Sequence, residues 1–203
     1  MNSGVMVLKS FDPGRPVMIT GMGRCGTTGL ARAMKAMGLT SYYLDESVNA
    51  EEQVIMKGMH GGPVKCANAL RDLRASRPPV WVGKLPMLGV VASRIKEVEE
   101  AWDGNWITMV RDPVALACRD DSGANGMEGA ESIHFFTAHT SVTVAAAGSL
   151  SKSNGGVIVS YEKLLSSPGL VLGQIAAWMG DDSLDIKAGA DEVMTGDPRY
   201  IGL

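Results

Sequence analysis

Short apolar runs alternating with helix-period segments predict a three-layer α/β/α fold with a mostly parallel central sheet. Apolar runs read as strands at Pro16–Thr20, Pro79–Gly83, Asn105–Val110 and Gly156–Ser160. Segments with apolar residues at helical spacing separate them. The first run passes through the glycine-rich turn Gly21-Met22-Gly23-Arg24-Cys25-Gly26 directly into a helical pattern. This alternation places helices on both faces of a parallel sheet. A chain of 203 residues suits one domain, 1–203.

In chain order, the first helix carries Leu30, Ala33, Met34 and Met37 on one face, and Gly38 is its stop. Thr40–Leu44 reads as a second short strand. The stretch from Asp45 to Gly62 is more polar and ends in a glycine-flanked loop at Gly58–Pro63. One helix is expected over Leu88 to Trp102, with Val91, Ile95, Val98 and Trp102 facing inward. Asp121 to Gly129 is glycine-rich and reads as a mobile loop. Glu131 to Leu150 has helical spacing. Pro168–Met179 reads as an amphipathic helix, with Pro168 near its first turn.

Composition narrows the function classes. A formal net charge of -3 provides no global basic field, so neither nucleic acid nor an anionic membrane is the expected partner. The N-terminal residues lack the basic-then-apolar layout of a signal peptide, and no apolar run is long enough to span a bilayer. Cys25, Cys66 and Cys118 are scattered, with no CxxC or Cys/His cluster to hold zinc. Reduced thiols in a cytoplasm fit this pattern. No metal site is expected.

The chemistry-bearing residues lie at the ends of the predicted strands, where ligands bind in open parallel sheets. Gly21-x-x-x-x-Gly26-Thr27-Thr28 nearly matches the P-loop, whose backbone amides converge on an anion at a helix N-terminus. An ATP-binding loop places Lys after the second glycine, but here that residue is Thr27. The positive charge sits instead at Arg24, a forked donor suited to oxyanions.

Gly23-Arg24-Cys25-Gly26-Thr27-Thr28 resembles the 5′-phosphosulfate loop of the sulfotransferases, with Cys25 in place of the usual Ser. Cys25 reads as a simple Ser substitute; a thiol at a helix N-terminus is also open to a lowered pKa and a redox role. The resemblance implies a P-loop NTPase-like fold and 3′-phosphoadenosine 5′-phosphosulfate as co-substrate, without a metal. Trp81-Val82-Gly83-Lys84-Leu85-Pro86 resembles the family strand that ends in a basic or catalytic residue before a proline. Lys84 would stabilise charge built on the leaving oxygen and the sulfuryl group in the transition state. Trp106–Val110 running into Arg111-Asp112-Pro113 resembles the 3′-phosphate motif. Arg111 matches its Arg, whereas the family's Ser is replaced by Arg119, which is itself suited to phosphate. Asp112 is expected to cap a turn or helix. Val159–Leu164 followed by Pro168 resembles a segment whose Tyr and Leu pack while its Glu bonds locally; no chemistry is assigned to it.

The acceptor side is less legible. Candidate general bases are His60, Asp45 and Glu46, the last because some family branches carry a catalytic Glu after the loop Arg. His134 and His139 are expected to be structural. The tail from Gly196 to Leu203 lacks the basic glycine-containing segment of cytosolic family members. The leading reading is transfer from the sulfated adenine nucleotide to a hydroxyl or amine on an unidentified small molecule, glycan or peptide. The alternatives are a P-loop nucleotide or small-molecule kinase and a non-catalytic nucleotide-binding relative.

Overall fold

The computed structural model describes residues 4–41, 55, 57–118 and 129–195. Five strands form one sheet in the order β1-β5-β4-β2-β3: β1 (Val5–Lys9), β2 (Val17–Gly21), β3 (Val82–Lys84), β4 (Asn105–Val110) and β5 (Gly156–Ser160). β2 pairs in parallel with β3 on one side and β4 on the other, and β4 pairs in parallel with β5. β1 pairs antiparallel with β5, with Val5 opposite Val159. The three-layer, P-loop NTPase-like architecture read from the sequence is therefore present, with one antiparallel edge strand added.

Helices cover the sheet. They are α1 (Thr27–Ala36), α2 (Pro63–Ser76), α3 (Leu88–Ala92), α4 (Lys96–Trp102), α5 (Pro113–Ala117), α6 (Gly129–Leu150), α7 (Tyr161–Ser166), α8 (Pro168–Met179) and α9 (Ile186–Thr195). Side chains alternate across a strand, so β2 feeds both layers. Val17 and Ile19 enter the cluster built with Leu30, Met34, Leu172 and Ile175 from α1 and α8. Met18 faces the opposite cluster, with Leu70, Leu88, Val98 and Trp102 from α2 to α4. All five residues of β2 are buried, as a central strand covered on both faces requires.

The second cluster contains a chain of indoles. The Trp81 and Trp102 rings lie 5.6 Å apart at 86°, and those of Trp102 and Trp106 lie 5.7 Å apart at 56°. These are favourable edge and tilted geometries. Trp102 Nε1 donates to the Asn105 carbonyl at 3.3 Å. Asn105 is buried as well. Its Oδ1 accepts from the Asp12 amide at 2.8 Å, and its Nδ2 donates to the Asp12 carbonyl at 3.1 Å, locking the β1–β2 connection onto the start of β4.

Several expectations need correction. The single helix expected over Leu88 to Trp102 is two helices, α3 and α4. The chain breaks at Ile95, which adopts an extended conformation with φ -126° and ψ 103°. Of its expected inner face, Val98 and Trp102 are buried while Val91 and Ile95 are partly exposed. The loop expected at Gly58–Pro63 is shorter, because residues 57–60 are helical and the turn falls at Gly61 and Gly62 before α2. Met37 and Gly38 end α1 as expected, with Gly38 at φ 105°. Most of the strand expected at Thr40–Leu44, most of the loop at Asp121–Gly129 and the tail from Gly196 lie outside the described residues. Ser41 alone bridges to Val82.

Trp102→Ala is expected to lower the unfolding free energy by about 3–5 kcal/mol, since it removes the middle ring of a buried chain. Urea denaturation measures this. A loss below about 1 kcal/mol would mean that Trp81 and Trp106 close over the gap.

Candidate functional site

β2 leads to β3 on one side of the sheet, while β4 leads to β5 on the other. The two adjacent strands β2 and β4 therefore diverge in their connections at their carboxyl ends, the position where open parallel sheets leave a crevice. The glycine-rich loop leaves β2 at that point, and Arg111 follows β4 there. Register places Gly21 opposite Met109, so both segments emerge from the sheet side by side.

The loop needs its glycines. Gly21 has φ 151°, and a Cβ on it would lie 2.6 Å from both the Met109 carbonyl oxygen and Cys25 Sγ. Gly26 has φ 89°, and a Cβ there would lie 2.2 Å from the Tyr161 ring. Between them, Arg24 takes φ 70°, an uncommon left-handed conformation for a non-glycine residue. Strain of this kind persists where surrounding structure imposes it. Gly26 is the N-cap of α1 and provides no side-chain cap. No acidic residue occupies the first turn. The helix N-terminus is thus left open to an external anion. Thr27 is buried at the start of α1 and Thr28 is partly buried; Gly23 and the Arg24 side chain are exposed.

Two other cations converge on this loop. Lys84 ends β3 opposite Ile19 and is only 4% exposed, so it is not an ordinary surface lysine. After it, the Leu85 amide donates to the Ile19 carbonyl and the Met87 amide to the Gly21 carbonyl at 2.7 Å, which holds this turn against the loop. Arg111 is 6% exposed. Its Nη1 donates to the Arg24 carbonyl at 3.2 Å, and its guanidinium carbon sits 4.5 Å from the centre of the Tyr161 ring. Its Nε is buried without a hydrogen-bond partner.

Cys25 lies among these groups. Burial pushes its thiol up to about 12 from an ordinary value of 9.0; the Thr27 and Cys25 backbone amides and the charges of Arg111 and Lys84 pull weakly the other way. The lowered pKa considered for Cys25 is thus overturned: burial holds the thiol protonated at neutral pH, with its Sγ close to Gly21.

The remaining sequence-derived candidates fall elsewhere. Asp112 caps α5, accepting from the Val114 amide at 2.7 Å and the Ala115 amide at 3.0 Å. Glu162 accepts from the Asp112 amide at 2.9 Å, tying the turn after β4 to the start of α7. Tyr161 and Leu164 are buried as expected. His60 is exposed and makes no hydrogen bond or ion pair with Arg24, Lys84 or Arg111. His139 Nδ1 bonds the Phe135 carbonyl at 2.9 Å within α6. Asp45, Glu46 and Arg119 lie outside the described residues. Among the described residues no group of His, Cys, Asp or Glu side chains is arranged to hold a metal, and no helix is long and apolar enough to cross a membrane. Sequence reasoning missed Tyr161 as part of the site. The only signal was its position directly after a core strand.

The sign of the Cys25 shift gives a test. Below pH 9.0 the folded and unfolded states both keep the proton. As pH rises further the unfolded thiol ionises first, so stability falls through the window up to about 12. Urea midpoints measured from neutral pH upward should decline above pH 9.0 in the wild type and less steeply in Cys25→Ser. Equal slopes would place the thiol in contact with water.

No protein-family model and no curated protein matches the chain. Solved structures do. The sulfotransferase domain of the Synechococcus PCC 7002 olefin synthase aligns at a TM-score of 0.53 with 17% identity, over 96% of this chain and 80% of that one. Sulfotransferase STF9 from Mycobacterium avium aligns at 0.54 with 12% identity, over 88% of this chain and 66% of that one. The sulfotransferase domain from the curacin biosynthetic pathway aligns at 0.53 with 14% identity, over 96% and 84%. With β2 and β4 diverging in their connections at the carboxyl edge of the sheet, the chain has the sulfotransferase fold.

Proposed function

We propose that this chain is a single-domain sulfotransferase. It would take 3′-phosphoadenosine 5′-phosphosulfate as donor and pass the sulfuryl group to a hydroxyl or amine acceptor. The observation that carries this reading is Arg111, a buried guanidinium seated against the glycine-rich loop with its Nε unpartnered. Burying a charge without a counter-charge is costly, and an anionic group of the ligand would relieve that cost. Thr27 stands where a kinase loop needs Lys, which disfavours Mg-ATP. The fold shared with solved sulfotransferases supports the same direction, although fold by itself does not fix function.

In this reading the amides of Gly23 to Thr28, the Thr27 and Thr28 hydroxyls and Arg24 hold the 5′ end of the nucleotide. Arg111 holds the 3′-phosphate, with Arg119 as a second cation. The nucleotide supplies an activated sulfuryl group. The acceptor oxygen or nitrogen bonds to sulfur while the bridging S–O bond breaks; its electron pair passes to the leaving phosphate, and the acceptor proton goes to a base. Lys84, held at the end of β3, places a positive charge where negative charge develops, which favours the transition state over the ground state. Glu46 and His60 are the residues proposed for the base, and no metal takes part. The three free thiols fit a reducing, cytoplasmic setting.

Calorimetric titration with adenosine 3′,5′-bisphosphate tests the nucleotide assignment. Magnesium-independent binding is expected, weakened about tenfold to a hundredfold by Arg111→Ala, the worth of charged hydrogen bonds to phosphate. Binding of Mg-ATP alone would support the kinase reading instead. Lys84→Met should leave bisphosphate affinity nearly unchanged and lower kcat about a hundredfold or more in an acceptor screen. Equal kcat in the two proteins would remove Lys84 from the mechanism.

A further inference from the structure

Tyr161 lies at the centre of contacts that neither the loop nor the arginine motif explains. It is the first residue of α7, directly after β5, and is 5% exposed. One part of its ring closes on Gly26: a Cβ there would stand 2.2 Å from Cδ2 and 2.4 Å from Cε2. The Arg111 guanidinium lies over the ring, 4.5 Å from its centre. Arg111 completes the circuit by donating from Nη1 to the carbonyl of Arg24, two residues before Gly26. The first turn of α7, which carries the ring, is tied down. Ser160 Oγ accepts from the Lys163 amide at 3.3 Å and donates to Glu162 Oε2 at 3.2 Å, while Glu162 Oε1 accepts from the Asp112 amide beside Arg111.

From this circuit we infer that Tyr161 is a positioning residue that fixes the glycine-rich loop and Arg111 relative to each other before any ligand arrives. The aromatic face attracts the guanidinium, and this attraction is strongest where water is excluded. The same ring fills the space that Gly26 leaves by lacking a side chain, so loop and arginine cannot shift independently. The role assigned here is that of the ring face, which meets both Gly26 and Arg111. The functional consequence rests on the nucleotide reading above: the two ends of a bisphosphate nucleotide would be bound by elements already set at the right separation, which lowers the ordering cost of binding.

Two measurements test this, and the first needs no ligand. Cys25 is buried inside the loop, so its alkylation by iodoacetamide, followed by mass spectrometry, reports loop posture. Wild type and Tyr161→Phe should both protect Cys25. Tyr161→Leu, which removes the aromatic face, and Gly26→Ala, which pushes a methyl group into the ring, should both expose it. Trp102→Ala, which destabilises the opposite face of the sheet, serves as the control for general loosening and should not expose Cys25 selectively over Cys66. Protection in Tyr161→Leu equal to that of the wild type would overturn the inference, as would exposure no greater than in the Trp102→Ala control.

The second measurement is a double-mutant cycle on adenosine 3′,5′-bisphosphate affinity. Tyr161→Leu should weaken binding about tenfold in the wild type and by less than about twofold in the Arg111→Ala background, because Tyr161 acts through Arg111. Full additivity of the two substitutions would overturn the coupling. If the wild type bound no bisphosphate, the nucleotide reading would fall, and the alkylation result would still decide whether Tyr161 sets the loop.

Discussion

The double-sided parallel pairing of β2 is the constraint on which the rest depends. A strand hydrogen-bonded to β3 and β4 and packed on both faces has no freedom to shift register, since a one-residue slip would exchange its two cores. Gly21 ends this strand with its Cα against the Met109 carbonyl, so the loop must begin at a fixed height above the sheet. Lys84 and Arg111, at the ends of the neighbouring strands, inherit that height. Three cations brought to one place from three separate parts of the chain are thus a consequence of strand pairing, and no loop has to search for them.

The electrostatics of the site run against the character of the whole molecule. The chain is net negative, yet the carboxyl edge of the sheet collects Arg24, Lys84 and Arg111 around an open helix N-terminus. The acidic groups nearby are used differently: Asp112 caps a helix and Glu162 accepts from a backbone amide, so neither neutralises Arg111. Burial adds to the contrast, because a guanidinium removed from water interacts strongly with whatever anion reaches it. Cys25 reports the same environment from the other side. Its thiol remains protonated despite two neighbouring positive charges, because burial outweighs their pull.

The strands were legible where their residues are apolar and central. Asn105–Val110 and Gly156–Ser160 match their elements residue for residue, and Pro168–Met179 matches α8. β1 was not legible. Its Met6 and Val7 are exposed, and it pairs with β5, more than a hundred residues away, so no local periodicity marks it. The α2 pattern at Cys66, Ala67, Leu70 and Leu73 was present in the chain but obscured by the polar stretch before it. The break between α3 and α4 was hidden because Ile95 is apolar and in helical phase, although its backbone is extended.

The sequence by itself determined where the candidate anion-binding residues lie. Glycines placed where backbone must approach backbone, a threonine in the lysine position and basic residues just beyond two apolar strands are local facts, and local chemistry suffices to read them. Only the tertiary structure decided how those pieces act together. The burial of Lys84, the hydrogen bond from Arg111 to the loop carbonyl and the Tyr161 ring pressed between Arg111 and Gly26 depend on strand order. They join residues up to 135 positions apart in sequence, from Gly26 to Tyr161. No pattern along the chain encodes such a contact, because it arises when β5 takes its place beside β4 and sets α7 against the loop that leaves β2.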